Sequence, residues 1–162
     1  MREFASTKYR LNDAPIWQKW LYTIFLGFML IGLLTNFLFG MTKTGLTSGA
    51  IVAYYRGDPD RLMFGKTFQE LLEVAHAHAF MMPLVLLVLG HLFFLTEWSA
   101  QGKRFVLTVA LVTIFLDITT PWAVRYLHPA WAHVKLVAGY GLGASFSCLI
   151  GVSLWAMWIQ GE

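Results

Sequence analysis

Leu71–Thr96 reads LLEVAHAHAFMMPLVLLVLGHLFFLT, and this stretch decides the fold. It exceeds the ~20 predominantly apolar residues that an α-helix needs to cross bilayer hydrocarbon. Three more apolar segments lie outward from it. The first runs from about Trp17 to Gly40 with Trp17, Trp20 and Tyr22 at interface depth. The third runs from Phe105 to about Leu127, and the fourth from about Trp131 to Ile159, closing with Trp155 and Trp158. Aromatic residues at segment ends match the belt found where membrane meets water. The expected fold is all-α: a single transmembrane domain over 1–162, built as a four-helix bundle with helices over 17–40, 68–96, 104–127 and 129–159.

Composition agrees. Hydrophobic residues make up 57% of the 162 residues and charged residues 13%, against about 25% charged in a soluble domain. Lipid must be the solvent for much of this surface. The net charge of +3 comes from scattered bases, not the basic stripes of a nucleic-acid binder, so nucleic acid is excluded as a partner and the bilayer is the first partner expected. Cys148 is the single cysteine, which leaves no internal disulfide, and a CxxCH haem-attachment sequence is lacking. The stretch from Met1 to Trp20 contains Glu3 and Asp13, and the apolar run after it is too long for a signal-peptide core. The first segment is therefore expected to stay in the mature protein.

The extramembrane loop over 41–67 is the only sizeable polar connection. Thr47 or Ser48 can cap a short helix through Ile51 and Tyr55, ended by Gly57-Asp58-Pro59. That helix is expected to lie at the membrane interface. Thr67-Phe68-Gln69-Glu70 matches a capping box and starts the second membrane helix at Phe68. His128-Pro129 places a proline in the first turn of the fourth. Arg2, Lys8, Arg10, Lys19, Lys103 and Arg104 fall on the side of the termini, and Lys43, Arg56, Arg61, Lys66, Arg125 and Lys135 on the other. Neither side holds a majority by the positive-inside rule. Asp58, Asp60 and Glu70 dilute the bases of the long loop, which points to cytoplasmic termini, and a bacterial inner membrane is the expected location.

Four of the five histidines converge on the loop side: His76 and His78 early in the second helix, His128 and His133 around the junction of the third and fourth. His91 lies alone about 22 Å further along. Intramembrane ionisable groups are costly and point to function. One expectation is a b-type haem held by His76 or His78 and by His133, with Arg125 and Lys135 as propionate partners. His76 and His78 are about 200° apart around a helix, so both cannot face one iron. A second expectation is a copper or zinc ion held by Glu73, His76 and His133, with His78, His91 and His128 as further candidate ligands. A third is that no cofactor binds and the histidines tie helices together. The stripe Gly139, Gly143, Ser147 and Gly151 suits close approach of a porphyrin or of a neighbouring helix.

Asp117 lies near the middle of the third helix, followed by Thr119, Thr120 and Pro121. Proline deprives the carbonyl four residues earlier of its donor, and here that carbonyl belongs to Asp117. The threonine hydroxyls are expected to satisfy the freed groups. Asp117 reads either as a proton-relay or quinone-site carboxylate or as a hydrogen-bonded helix contact, with Asn36 or Ser145 as partner.

The stretch YYRGDPDRLMFGKTFQELLEVAHAHAFMMPLVLLVLGHLFFL, Tyr54 to Leu95, resembles small four-helix bacterial membrane proteins that look like diminutive b-type cytochromes. Di-haem cytochromes b carry two histidines on each of two helices about fourteen apart, whereas here the fourth helix lacks a second histidine. The resemblance therefore implies one haem. The resulting expectation is a membrane electron-transfer subunit that exchanges electrons with a quinone or with a larger redox complex. The rivals are a non-catalytic accessory subunit that stabilises other membrane subunits and a small transporter using Asp117.

Overall fold

The computed structural model describes residues 9–160; Arg2, Lys8 and Glu3 lie outside the described residues. Among the described residues, four helices are long and apolar enough to cross a membrane. The first, α1, spans Ile16–Phe39 and continues as a π-helical turn, Gly40–Thr44. A short helix α2, Ser48–Arg56, leads into a two-stranded hairpin, β1 Gly57–Asp58 and β2 Met63–Phe64. The remaining spans are α3 Phe68–Phe94, α4 Ala100–Trp122 with a π-helical turn Ala123–Leu127, and α5 Trp131–Trp158. The architecture is an all-α four-helix membrane bundle.

Local chemistry sets the boundaries. The Thr67 hydroxyl accepts from the Glu70 amide while the Glu70 carboxylate accepts from the Thr67 amide, so the expected capping box opens α3 at Phe68. Thr47 caps α2, and Gly57 at φ 93° ends it in a conformation that L residues seldom adopt. The hairpin that follows was not expected: Asp58 accepts from the Asp60 amide and so fixes the turn at Pro59. Two helix starts also differ. Ser99 accepts from the Gly102 amide, which draws Gln101 to Arg104 into the first turn of α4. At the other junction, His128 Nδ1 accepts from the Ala130 amide at 3.1 Å. Pro129 therefore sits in a turn, and α5 begins at Trp131 rather than at 129.

The spans α3, α4 and α5 pack against one another, with Phe93, Leu89, Ala110, Leu149 and Ile150 at the centre. Gly141 permits the closest approach: a Cβ there would stand 2.8 Å from Thr113 Cγ2. Helix α1 makes its main helix contact with α5, and its Tyr22, Phe25, Leu26 and Met29 join the common apolar core. At the face of the termini, Arg10 pairs with Glu97, and Gln160 donates to the same carboxylate. The opposite face carries α2 and the hairpin. There Arg56 donates to the Val124 carbonyl at 3.3 Å and Arg125 to the Arg56 carbonyl at 3.2 Å, which fastens the loop to the end of α4.

Candidate functional site

Towards the loop face all four spans line a cavity of about 510 Å³. Its floor and walls come from α1 (Asn36, Phe37), α3 (Val74, His78, Met82), α4 (Asp117, Trp122) and α5 (Lys135, Gly139, Tyr140). The roof is α2 with Tyr54 and Tyr55, and the Lys66–Glu70 ion pair at 2.6 Å. Lys66 also lies 4.9 Å from the centre of the Tyr54 ring. The Glu70 hydrogen bond raises the Lys66 pKa, and burial raises that of the Tyr55 phenol. The ammonium and the neutral phenol are the forms present at physiological pH.

The chemistry of the cavity centres on Asp117. Lys135 Nζ reaches its Oδ1 at 2.5 Å, and His78 Nδ1 stands 3.5 Å from its Oδ2. The lysine also donates to the Asp117 backbone carbonyl at 3.3 Å. This is the carbonyl that Pro121 leaves without a helical donor. The threonines expected to serve it do not: Thr119 donates to Phe115 and Thr120 to Leu116, each four residues back on its own helix. Neither Asn36 nor Ser145 is the partner of Asp117. Lys135 does both tasks, and side-chain exposures of 16% for Lys135 and 11% for Asp117 make this a desolvated pair.

A carboxylate facing Nδ1 of a histidine holds a proton on that nitrogen and leaves Nε2 as an acceptor. His78, Asp117 and Lys135 thus offer one shared negative charge, an ammonium and a titratable imidazole in a mostly apolar cavity. Such a set binds oxygen-bearing polar groups and exchanges protons with them.

Of the remaining expected site residues, Glu73 also lines the cavity, and the others are placed elsewhere. His76 stands two residues from His78, and His133 two residues from Lys135, so each lies about 200° around its helix from the side chain that turns to Asp117. Both are exposed. The His76 ring packs edge-on against Phe80, and Glu73 accepts from Gln69 at 3.2 Å. Because α3 and α5 meet the cavity through His78 and Lys135, the bundle does not bring His76 and His133 to one point. Arg125 holds the loop, His128 caps the turn before α5, and His91 lies exposed near the far end of α3. Among the described residues no three His, Cys, Asp or Glu side chains gather around a point that suits a metal ion. The stripe of small residues on α5 is also open, since nothing lies within 4 Å of a Cβ at Gly139, Gly143 or Gly151. The close helix contact is made by Gly141 instead.

Residues 45–162 match the model of a family described as a transmembrane helical domain. The chain belongs to the Aq_1264_TM family. The matched region takes in α2, the hairpin and the three spans that carry His78, Asp117 and Lys135, and it begins after α1. No curated protein and no solved structure matches the chain. The protein is thus an integral membrane protein of this family, in contact with lipid along its spans.

The pairing of His78 with Asp117 has a signal in the sequence. His78 lies ten residues inside the start of α3 at Phe68, and Asp117 lies ten before the end of the turn at Leu127. At 1.5 Å per residue both sit about 15 Å from the loop face. Lys135 is harder to find, because it starts nearer that face and its long stem spans the difference in depth.

Proposed function

We propose that this chain is the quinone-binding membrane subunit of a redox assembly, with the Asp117 centre as the site of the head group. The observation that carries the reading is the convergence of His78 and Lys135 on Asp117 at the wall of a mostly apolar cavity. A quinone needs this combination: donors for a carbonyl oxygen, a proton-exchanging group beside it, and an apolar space for the ring. Reduction to the quinol takes two electrons and two protons. The electrons come from a one-electron carrier in a partner subunit. The protons reach the two carbonyl oxygens by way of His78 and Asp117, which regain them from the water side. Lys135 keeps the carboxylate in place and moderates its charge throughout.

In this reading electron transfer remains the task, with the quinone rather than a haem between His76 and His133 as the bound redox group. The setting it expects is a bacterial inner membrane with the termini on the cytoplasmic side. The test is a photoreactive short-chain quinone applied to the purified protein in mild detergent. Covalent attachment should map to peptides containing His78, Trp122 or Gly139 and should be suppressed by excess unlabelled quinone. Labelling spread over all four spans, unaffected by that competitor, contradicts the proposal.

A second reading, a non-catalytic stabilising subunit, draws on a separate observation. Gln69 and His76 are exposed polar side chains of α3 outside the cavity, and polar groups facing lipid are costly. A neighbouring membrane helix would cover them. That reading predicts that Asp117→Asn leaves the activity of the assembly intact while His76→Ala loosens its association.

A further inference from the structure

The cavity has a wall and a roof of different kinds. On the water side α2 and the hairpin cover it. The Lys66–Glu70 pair at 2.6 Å, the Lys66–Tyr54 contact and the two arginine-to-carbonyl bonds at Val124 and Arg56 hold that cover down. On the lipid side, α1 and α3 both line the cavity, and α1 makes its main helix contact with α5 rather than with α3. Phe37 and Phe39 of α1 and Val74 of α3 line the cavity and are also exposed, at 46%, 57% and 53%. Asp117 of α4 and Lys135 of α5 form the polar centre with His78 of α3, and beyond Glu70 of the roof, Asn36 and Glu73 are the other polar side chains that α1 and α3 bring to the lining. A molecule seated with its head at Asp117 meets mostly apolar side chains of α1 and α3 on this side.

We infer that the site is loaded from the bilayer through the gap between α1 and α3, and that its ligand is an amphipathic, lipid-dissolved molecule whose apolar tail stays in that gap. This rests on the quinone reading for the identity of the head group, but the route follows from the walls alone. It separates this ligand class from water-borne anions or nucleotides, which would have to pass the roof. It also gives α1 a function: the span outside the family-matched region forms the outer wall of the cavity.

The route is tested without any ligand. Gly139 lines the cavity with nothing within 4 Å of an added Cβ, so a nitroxide fits there. A Gly139→Cys, Cys148→Ala chain is spin-labelled and returned to phosphatidylcholine vesicles. Collision of the label with oxygen, which concentrates in lipid, is compared with collision with a water-soluble nickel chelate. Asn36→Cys on the α1 wall serves as a second position, and Phe64→Cys in the exposed hairpin as the aqueous reference. The inference expects oxygen to exceed the nickel chelate several-fold at both cavity positions and the reverse at residue 64. Nickel collision equal to or above that of oxygen in the cavity overturns it, as does a label shielded from both. If the labels report lipid access but quinone labelling fails, the head-group assignment falls and the lipid-side route stands.

Discussion

Pro121 cannot supply the amide that the Asp117 carbonyl would receive in an unbroken helix, and Lys135 fills that place while pairing with the carboxylate. Removing one member of a desolvated pair leaves the other uncompensated, at a cost of about 3–5 kcal/mol. Lys135→Ala should therefore lower the thermal midpoint of the protein in detergent markedly. Replacing both partners by leucine should recover most of the loss, because an apolar pair of similar volume is close to neutral in such a position. A double variant as unstable as the single one would show that Lys135 acts mainly through the backbone carbonyl or through packing. At this scale the sequence was informative about Asp117 and about its freed carbonyl, since both follow from a proline four residues on. Charge alone marks Lys135 and Arg125 as partners for propionates and does not reveal what they touch within the chain. The contacts that occupy them, with Asp117 and with the Arg56 carbonyl, depend on which faces of α4, α5 and the loop meet.

Helix packing and helix ends follow from equally local causes. A methyl group at Gly141 would stand 2.8 Å from Thr113 Cγ2, whereas one at Gly143 meets nothing within 4 Å. Gly141→Ala should destabilise by about 1–3 kcal/mol, the usual range for overpacking, and Gly143→Ala should be nearly neutral. Paired unfolding curves decide the matter, and equal effects would contradict the packing of α4 on α5. Thr67→Ala removes the capping hydroxyl of α3 and should cost about 1 kcal/mol, read in the same way. The spans themselves were legible because length and apolarity are sufficient signals in a bilayer. The boundaries were less so: Ser99 acts as a cap before a polar run that resembles a loop, and the His128 imidazole diverts Pro129 from a helix into a turn. The spacing of Gly139, Gly143, Ser147 and Gly151 pointed to a close contact on α5, but periodicity alone does not tell a packed stripe from one that borders open space.

Across the molecule, three tightly packed spans carry the polar centre and a fourth leans on α5 to complete its enclosure. The family match covers the three and their loop, and α1 lines the cavity beside them. The histidines that the sequence groups at one face are divided by helix geometry. His78 turns inward, while His76 and His133 turn outward, a separation visible only once the inward faces of α3 and α5 are known. Gly139 offers a way to alter the cavity without touching Asp117, His78 or Lys135, since a leucine there would occupy open space. The most direct measurement is a calorimetric titration of the purified protein with a short-chain quinone, beside its Gly139→Leu and Asp117→Asn variants. Saturable binding near one quinone per chain, weakened at least tenfold by each substitution while the thermal midpoint of Gly139→Leu is kept, is the predicted result. Binding that is absent from the intact protein, or that is the same in all three chains, would contradict a quinone site at Asp117.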